Sequence, residues 1–194
     1  MISNQPSEAA ANSSTGWIDF WVVCDNNNCY LFYSNDGGKV FRHTTSKANF
    51  PNGWGGVTTV LSQSQFDLFE GTAVYKIKGK NQYLLLMEAI GSSGRYYKAF
   101  TSSSLSGSWT AVSGASSDAS PFAGDRNTVF SGTKWAQGIS HGELLRSAEN
   151  EYMEVDPCNL RFLYQGLAPG AGGDYQKLPY RLGLLTSTTK GSGC

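Results

Sequence analysis

Long apolar runs are missing from this 194-residue chain, so nothing in it reads as a helical membrane span. Charge is scarce. Asp, Glu, Lys and Arg make up 15% of the residues, against about a quarter in an average soluble domain. The 15 basic and 15 acidic residues cancel, and the basic ones are scattered. That excludes nucleic acid and anionic membrane surfaces as expected partners, because both need a basic patch. The N-terminal stretch "MISNQPSEAAANSSTG" has neither a basic n-region nor an apolar h-region, so it is not read as a signal peptide. Sustained helical periodicity is also missing. So are a G-x-S-x-G elbow, a P-loop and a strand-borne G-x-G-x-x-G. "GSSGR" and "GAGGD" are Gly-rich, but no helix pattern follows them. There are two histidines and no C-x-x-C pair, which argues against a zinc site.

What the chain does have is 23 glycines, abundant Ser and Thr, and 13% aromatic residues. This is the profile of a secreted all-β domain with many turns, long enough for one sizeable core. Cys24 and Cys29 flank "DNNN", a turn between "FWVVC" and "CYLFY". A disulfide across that hairpin fits, and Cys158 would then pair with Cys194. Four cysteines allow three pairings, so this one is an expectation. Asn12 in "NSS" is a possible glycosylation acceptor.

Short runs rich in β-branched and aromatic residues read as strands: "WIDFWVVC", "CYLFYSN", "KVFRHTT", "TAVYKIKG", "QYLLLMEAIG", "RYYKAFTS", "ELLRSA", "LRFLYQG" and "YRLGLLTST". "NDGG" and "KGKNQ" read as hairpin connections. There is also a repeat. "RHTTSKANFPNGW" resembles "KAFTSSSLSGSW", and each runs from a strand through a polar segment to Gly and Trp, at Trp54 and Trp109. A period of roughly 50 residues with about four strands per unit is a β-propeller pattern. A β-sandwich with coincident Gly-Trp turns is the alternative. The chain holds about three such units, few for a closed propeller.

Three groups stand out chemically. Asp19 lies inside "GWIDFWVV", where a regular strand would put it on one face with Trp17 and Trp21. A carboxylate in so apolar a strand is costly unless it is paired or functional; a turn-capping Asp at a strand end is the bland alternative. Glu70 follows Phe66, Leu68 and Phe69 and precedes Gly71, Thr72 and Ala73, with no basic residue nearby in sequence. Such surroundings favour a protonated carboxyl, which is what a general acid needs; an exposed Glu at a strand end is the alternative. Of the histidines, His43 reads as an exposed strand residue, and His141 in "ISHGELLR" is the better candidate, though a lone His is more often structural. Glu88 in "LLLMEAIG" is a candidate supporting carboxylate. The acidic stretch "SAENEYMEVD" reads as a solvated hairpin face. Carboxylate chemistry in an aromatic-rich β scaffold points to sugars.

Together, "GWIDFWVVCDNNNCYLFYSNDGGKVFR", "NFPNGW", "LFEGTAVYKIKGKNQYLLLMEAIGSSGRYY", "SLSGSWT", "SPFAGDRNTVF", "ISHGELLR", "DPCNLRFLYQG" and "DYQKLPYRLGLLT" resemble glycoside hydrolase family 62 across nearly the whole chain. The resemblance implies a five-bladed β-propeller, of which residues 1–194 would supply about three blades as the C-terminal part of the catalytic domain. It implies secreted, inverting α-L-arabinofuranosidases that remove arabinose from arabinoxylan or its oligosaccharides, with a calcium ion near the propeller axis and a monomeric state. Glu70 would be the general acid. Asp19 would tune it and orient the arabinose. His141 would help hold calcium, mostly through water. Tyr175 and Gln176 would contact the xylan backbone, with Trp17 and Arg181 at the same surface. Departures are "FEGT" for "FEAS", "PYR" for "PWR", and Gln176 for Asn. The family's "KDP"-type base has no counterpart, since Asp156–Pro157 belongs to "DPCNL". The resemblance therefore implies a chain that kept the acid and lost the base. A xylan-binding fragment without catalysis, or a related propeller hydrolase acting on β-xylosides or arabinan, are the other readings.

Overall fold

A computed structural model describes residues 2–11, 13, 15–190 and 194. Asn12 lies outside the described residues. Nearly all regular structure is extended. The exceptions are one helical turn, α1 (Ser7–Ala10), and one 3-10 turn, Tyr175–Lys177. The strands are β1 (Ile18–Cys24), β2 (Asn28–Ser34), β3 (Lys39–Ser46), β4 (Thr58–Ser62), β5 (Glu70–Lys76), β6 (Tyr83–Gly91), β7 (Gly94–Ser102), β8 (Thr110–Ala111), β9 (Gln137–Leu144), β10 (Arg161–Leu167) and β11 (Arg181–Thr186).

They form three sheets, β1-β2-β3-β4, β5-β6-β7-β8 and β9-β10-β11, and every pair is antiparallel between sequence neighbours. The tight β1–β2, β2–β3, β5–β6 and β6–β7 connections favour this meander order. The sequence repeat is the sheet repeat: Trp54 and Trp109 each sit between the third and fourth strands of their sheets. The fourth strands, β4 and β8, are absent from the sequence reading. They are short, and β8 is only two residues, too little for a pattern of period two to register. The run "ELLRSA" also shifts, because β9 starts earlier, at Gln137, and ends at Leu144.

The first strands of the sheets lie side by side, and the Trp21 indole N–H donates to the Val74 carbonyl at 2.7 Å, tying β1 to β5. One core layer joins the first and second sheets through Val23, Phe32, Val74, Leu85 and Met87. A second joins the second and third through Tyr75, Leu86, Tyr97, Ile139 and Phe162. The middle sheet is thus covered on both faces. That is why β6 is buried without a break from Tyr83 to Ala89 and why its sequence is a continuous apolar run rather than an alternation. In β10 only alternate residues are buried, and Leu163, Leu182 and Leu184 stay exposed.

Both expected disulfides are present, Cys24–Cys29 and Cys158–Cys194. Cys24 and Cys29 face each other across the β1–β2 ladder. His43 is a correction. It is buried, with its ring nitrogens 3.0 Å from the Tyr33 hydroxyl and 2.8 Å from the Gly55 carbonyl oxygen. Tyr33 of β2 stacks on the His43 ring and on Phe41 of the same strand β3, a cover that the sequence spacing did not indicate. The acidic stretch is a turn held by Ser147 N–H to the Glu154 carbonyl. Its Glu151 is exposed and paired with Lys47, but Val155 is buried and bridges Ile77, so only part of the stretch faces water.

Candidate active site

Each innermost strand breaks its regular geometry at the same end of the molecule. In β1 the ladder shifts between Ile18 and Trp21, and Asp19 has φ 55°. In β5 it shifts between Glu70 and Ala73, and Gly71 has φ 69°. In β9 His141 has φ 29°. Left-handed residues and bulges re-aim side chains, and strain of this kind gathers at functional sites. Asp19 is therefore not on one face with Trp17 and Trp21, as regular alternation predicts. Trp21 turns into the core against Tyr75, while Trp17 packs edge-on against Phe20 and Tyr33.

The three breaks bring one ligating atom each of Asp19, Glu70 and His141 within 4.8 Å of one another. Asp19 Oδ2 accepts the Gly71 N–H at 2.7 Å, which locks the carboxylate of β1 onto β5. His141 Nε2 lies 3.9 Å from Asp19 Oδ1. At Gly71 an added Cβ would meet the Tyr97 hydroxyl at 3.0 Å, so a side chain there is opposed by both space and φ.

The setting of Glu70 is ionic rather than apolar, contrary to the expectation from its sequence neighbours. Arg95 Nη1 donates to Glu70 Oε1 at 2.8 Å and to Glu88 Oε1 at 2.8 Å. Arg95 sits over the Phe69 ring, 4.4 Å from its centroid. Glu70 and Glu88 are directly opposite in the β5–β6 ladder. Like charges so placed repel, and the guanidinium between them resolves the conflict. Glu88 is fully buried. It also accepts the His141 N–H at 2.6 Å and the Ser140 hydroxyl at 3.0 Å, with the Tyr97 hydroxyl at 3.4 Å. Burial pushes the Glu88 carboxyl up, and Arg95 and the His141 N–H oppose that. Burial alone would lower Arg95, but Glu88 and Glu70 overcome it and hold the guanidinium above its ordinary value. The Tyr97 phenol is raised well above its ordinary value by burial and then by Glu88.

Arg95 and Tyr97 are absent from the sequence reading, and Glu88 enters it only as a supporting carboxylate. The register hides them. From the Lys76–Tyr83 pair an unbroken ladder would set Glu70 against Ala89; the bulge moves the partner to Glu88. A hairpin drawn from sequence without that bulge cannot find the pair.

The remaining expected residues lie apart from this cluster. Tyr175 is 61% exposed on the 3-10 turn. Gln176 is exposed, its N–H capped by Asp174. Arg181 is exposed at the start of β11. Trp17 belongs to the aromatic group of Phe20 and Tyr33. A cavity of about 330 Å3, lined by Asp19, Trp21, Gly71, His141 and Leu163 among others, opens between the inner strands. A larger one of about 570 Å3, between Phe130, Trp135 and Leu184, has no carboxylate or histidine in its lining and lies off the chemistry.

Calcium takes about six to eight oxygen ligands. Asp19, Glu70 and His141 offer two carboxylates and an imidazole. One oxygen of each carboxylate is already engaged, by Arg95 and by Gly71. This set does not make a calcium cage by direct ligation.

Three meander sheets thus bring paired carboxylates and an arginine together at one end of their inner strands. The chain belongs to glycosyl hydrolase family 62, whose model matches residues 4–186. It is 48% identical over 174 residues to alpha-L-arabinofuranosidase C of Cellvibrio japonicus, covering 88% of this chain and 28% of that protein. The catalytic domain of the Coprinopsis cinerea GH62 alpha-L-arabinofuranosidase superposes with TM-score 0.92 at 46% identity, covering 96% of this chain and 59% of that one. A GH62 hydrolase solved in complex with xylotriose superposes with TM-score 0.88 at 40% identity, over 94% of this chain and 59% of that one. The chain thus spans under a third of the Cellvibrio protein and about three-fifths of the two solved chains.

Proposed function

We propose that this chain carries the acid side of an α-L-arabinofuranosidase site that removes arabinofuranosyl branches from arabinoxylan. The observation that carries the reading is the convergence of Glu70 and Asp19, from two different sheets, within 4.8 Å. In the proposed reaction water attacks the anomeric carbon, the bond to the xylan oxygen breaks, and Glu70 gives that oxygen its proton. Asp19, held by Gly71, orients the sugar and acts on Glu70 through its charge. An inverting pair stands roughly 6.5–9.5 Å apart to admit water, and Asp19 is nearer to Glu70 than that. Asp19 is therefore not the base of an inverting reaction with Glu70. We propose that the base lies in polypeptide beyond these 194 residues, within a five-bladed propeller to which this chain contributes three sheets.

Tyr175, with Gln176 and Arg181, forms the proposed backbone-binding surface, with Trp17 a further contact. Calcium held through His141 and water belongs to the same proposal. So does a monomeric, extracellular protein, which two disulfides suit. The second reading is xylan binding without hydrolysis. It is favoured by the short Asp19–Glu70 separation and by the xylotriose complex of a relative.

The test is arabinose release from arabinoxylan by the folded chain and by Glu70→Gln, with the product anomer followed by NMR. Release with inversion that disappears in the variant supports the hydrolase. A retained anomer would make Asp19 a nucleophile and overturn the inverting assignment. No release by these 194 residues alone is expected if the base lies outside them, so the same pair is compared in the longer protein that supplies it; no release there, with xylo-oligosaccharide binding intact, selects the binding reading.

A further inference from the structure

Glu70 has two carboxyl oxygens, and a general acid must carry its proton on the one that faces the leaving group. The structure distinguishes them. Oε1 accepts from Arg95 Nη1 at 2.8 Å. A guanidinium is a donor only and stays charged, so an oxygen in that bond is a poor seat for a proton. What holds Arg95 is Glu88. Its carboxylate is fully buried and fixed by the His141 N–H and the Ser140 hydroxyl, both from β9. Arg95 is fixed on its other side by the Phe69 ring. Glu70 is the more exposed of the two partners, at 16% against 0%.

We propose that Glu88 is a positioning residue that anchors Arg95, and that Arg95 in turn confines the proton of Glu70 to Oε2. The arrangement joins two sheets to one atom: β9 of the third sheet fixes Glu88, Glu88 fixes Arg95, and Arg95 orients the acid on β5. The inference rests on the proposed role of Glu70, but its first test does not need turnover.

That test is NMR of the arginine guanidinium protons in the whole chain, with Arg95→Lys identifying the Arg95 signal by its loss. The signal is expected to be slowly exchanging in the parent and to persist in Glu70→Gln. In Glu88→Gln it is expected to vanish. The His141 N–H still needs an acceptor, so the new amide nitrogen turns toward Arg95, where two donors would meet. Loss of the signal in Glu70→Gln, or its survival in a folded Glu88→Gln, overturns the proposal. The Glu70→Gln arm leaves the buried cluster intact and decides alone if Glu88→Gln does not fold.

The second test compares substrates. A dinitrophenyl arabinofuranoside leaves without a proton, whereas a xylan hydroxyl needs one. Arg95→Lys is expected to lower kcat/KM on arabinoxylan at least about tenfold more than on the aryl substrate. Equal losses would mean a merely structural arginine and would overturn the inference. If these 194 residues cleave neither substrate, as a base outside them predicts, the NMR result alone decides on Glu88 and Arg95.

Discussion

Replacing Tyr97 by Phe removes one oxygen from the joint between the second and third sheets. That hydroxyl accepts the Gly142 N–H at 2.7 Å and lies 3.4 Å from Glu88 Oε2. The ring itself stays in place against Phe162, 4.8 Å between centroids, so the packing contribution is unchanged. Glu88 keeps Arg95, Ser140 and the His141 N–H as donors. The loss therefore reduces to a short hydrogen bond whose donor, the Gly142 N–H, is left without its partner. Gly142 is half-buried and lines the cavity beside Asp19, so water can replace part of that bond; the cost falls to about 1 kcal/mol, the low end for an unpaired buried group, and the long contact to Glu88 adds little. For a chain of this size each kcal/mol moves Tm by about 2–4 °C, so a fall of about 2–4 °C is expected. Urea unfolding monitored by tryptophan fluorescence reads the same quantity as a lower midpoint at unchanged m. A change under about 0.5 kcal/mol would refute the reasoning, because the loss of this half-buried hydrogen bond would then cost nothing measurable. A changed m would show instead that the variant altered the compactness of one of the states.

Two further outcomes are expected. Burial would raise the Asp25 carboxyl, but the N–H groups of Asn27 and Asn28 and the Tyr30 hydroxyl reverse this and hold it below its ordinary value. Its stabilisation is therefore present above the unfolded aspartate value of about 3.9 and is lost as pH falls through the lower folded value. In Asp25→Asn the acid limb of the stability curve should be shallower below about pH 4, and an unchanged limb would contradict the shift. Calcium bound near His141 should raise the thermal midpoint in a concentration-dependent way; a midpoint indifferent to both calcium and chelator would remove calcium from the proposal.

Much of the architecture is local and was therefore legible. The hairpin turns, the Cys24–Cys29 pair across "DNNN", the recurrence of Gly-Trp at Trp54 and Trp109, and the continuous apolar run of β6 all follow from short-range chemistry or from one repeated spacing. Asp19, Glu70 and His141 were legible as types, because a carboxylate or a histidine among apolar neighbours is conspicuous. Burial of His43 was not, because it depends on Tyr33, which the neighbouring strand β2 brings against its ring.

The environment of Glu70 was decided by the tertiary structure alone. Sequence neighbours surround it with Phe and Leu, yet its actual partner, Arg95, stands 25 positions away. One bulge in β5 sets the partner to Glu88 and brings two carboxylates onto one guanidinium. The sequence by itself determined which residues carry charge and which strands carry them. Only the packing of three sheets determined where those charges meet, because the left-handed turns at Asp19, Gly71 and His141 act over distances that no local pattern records.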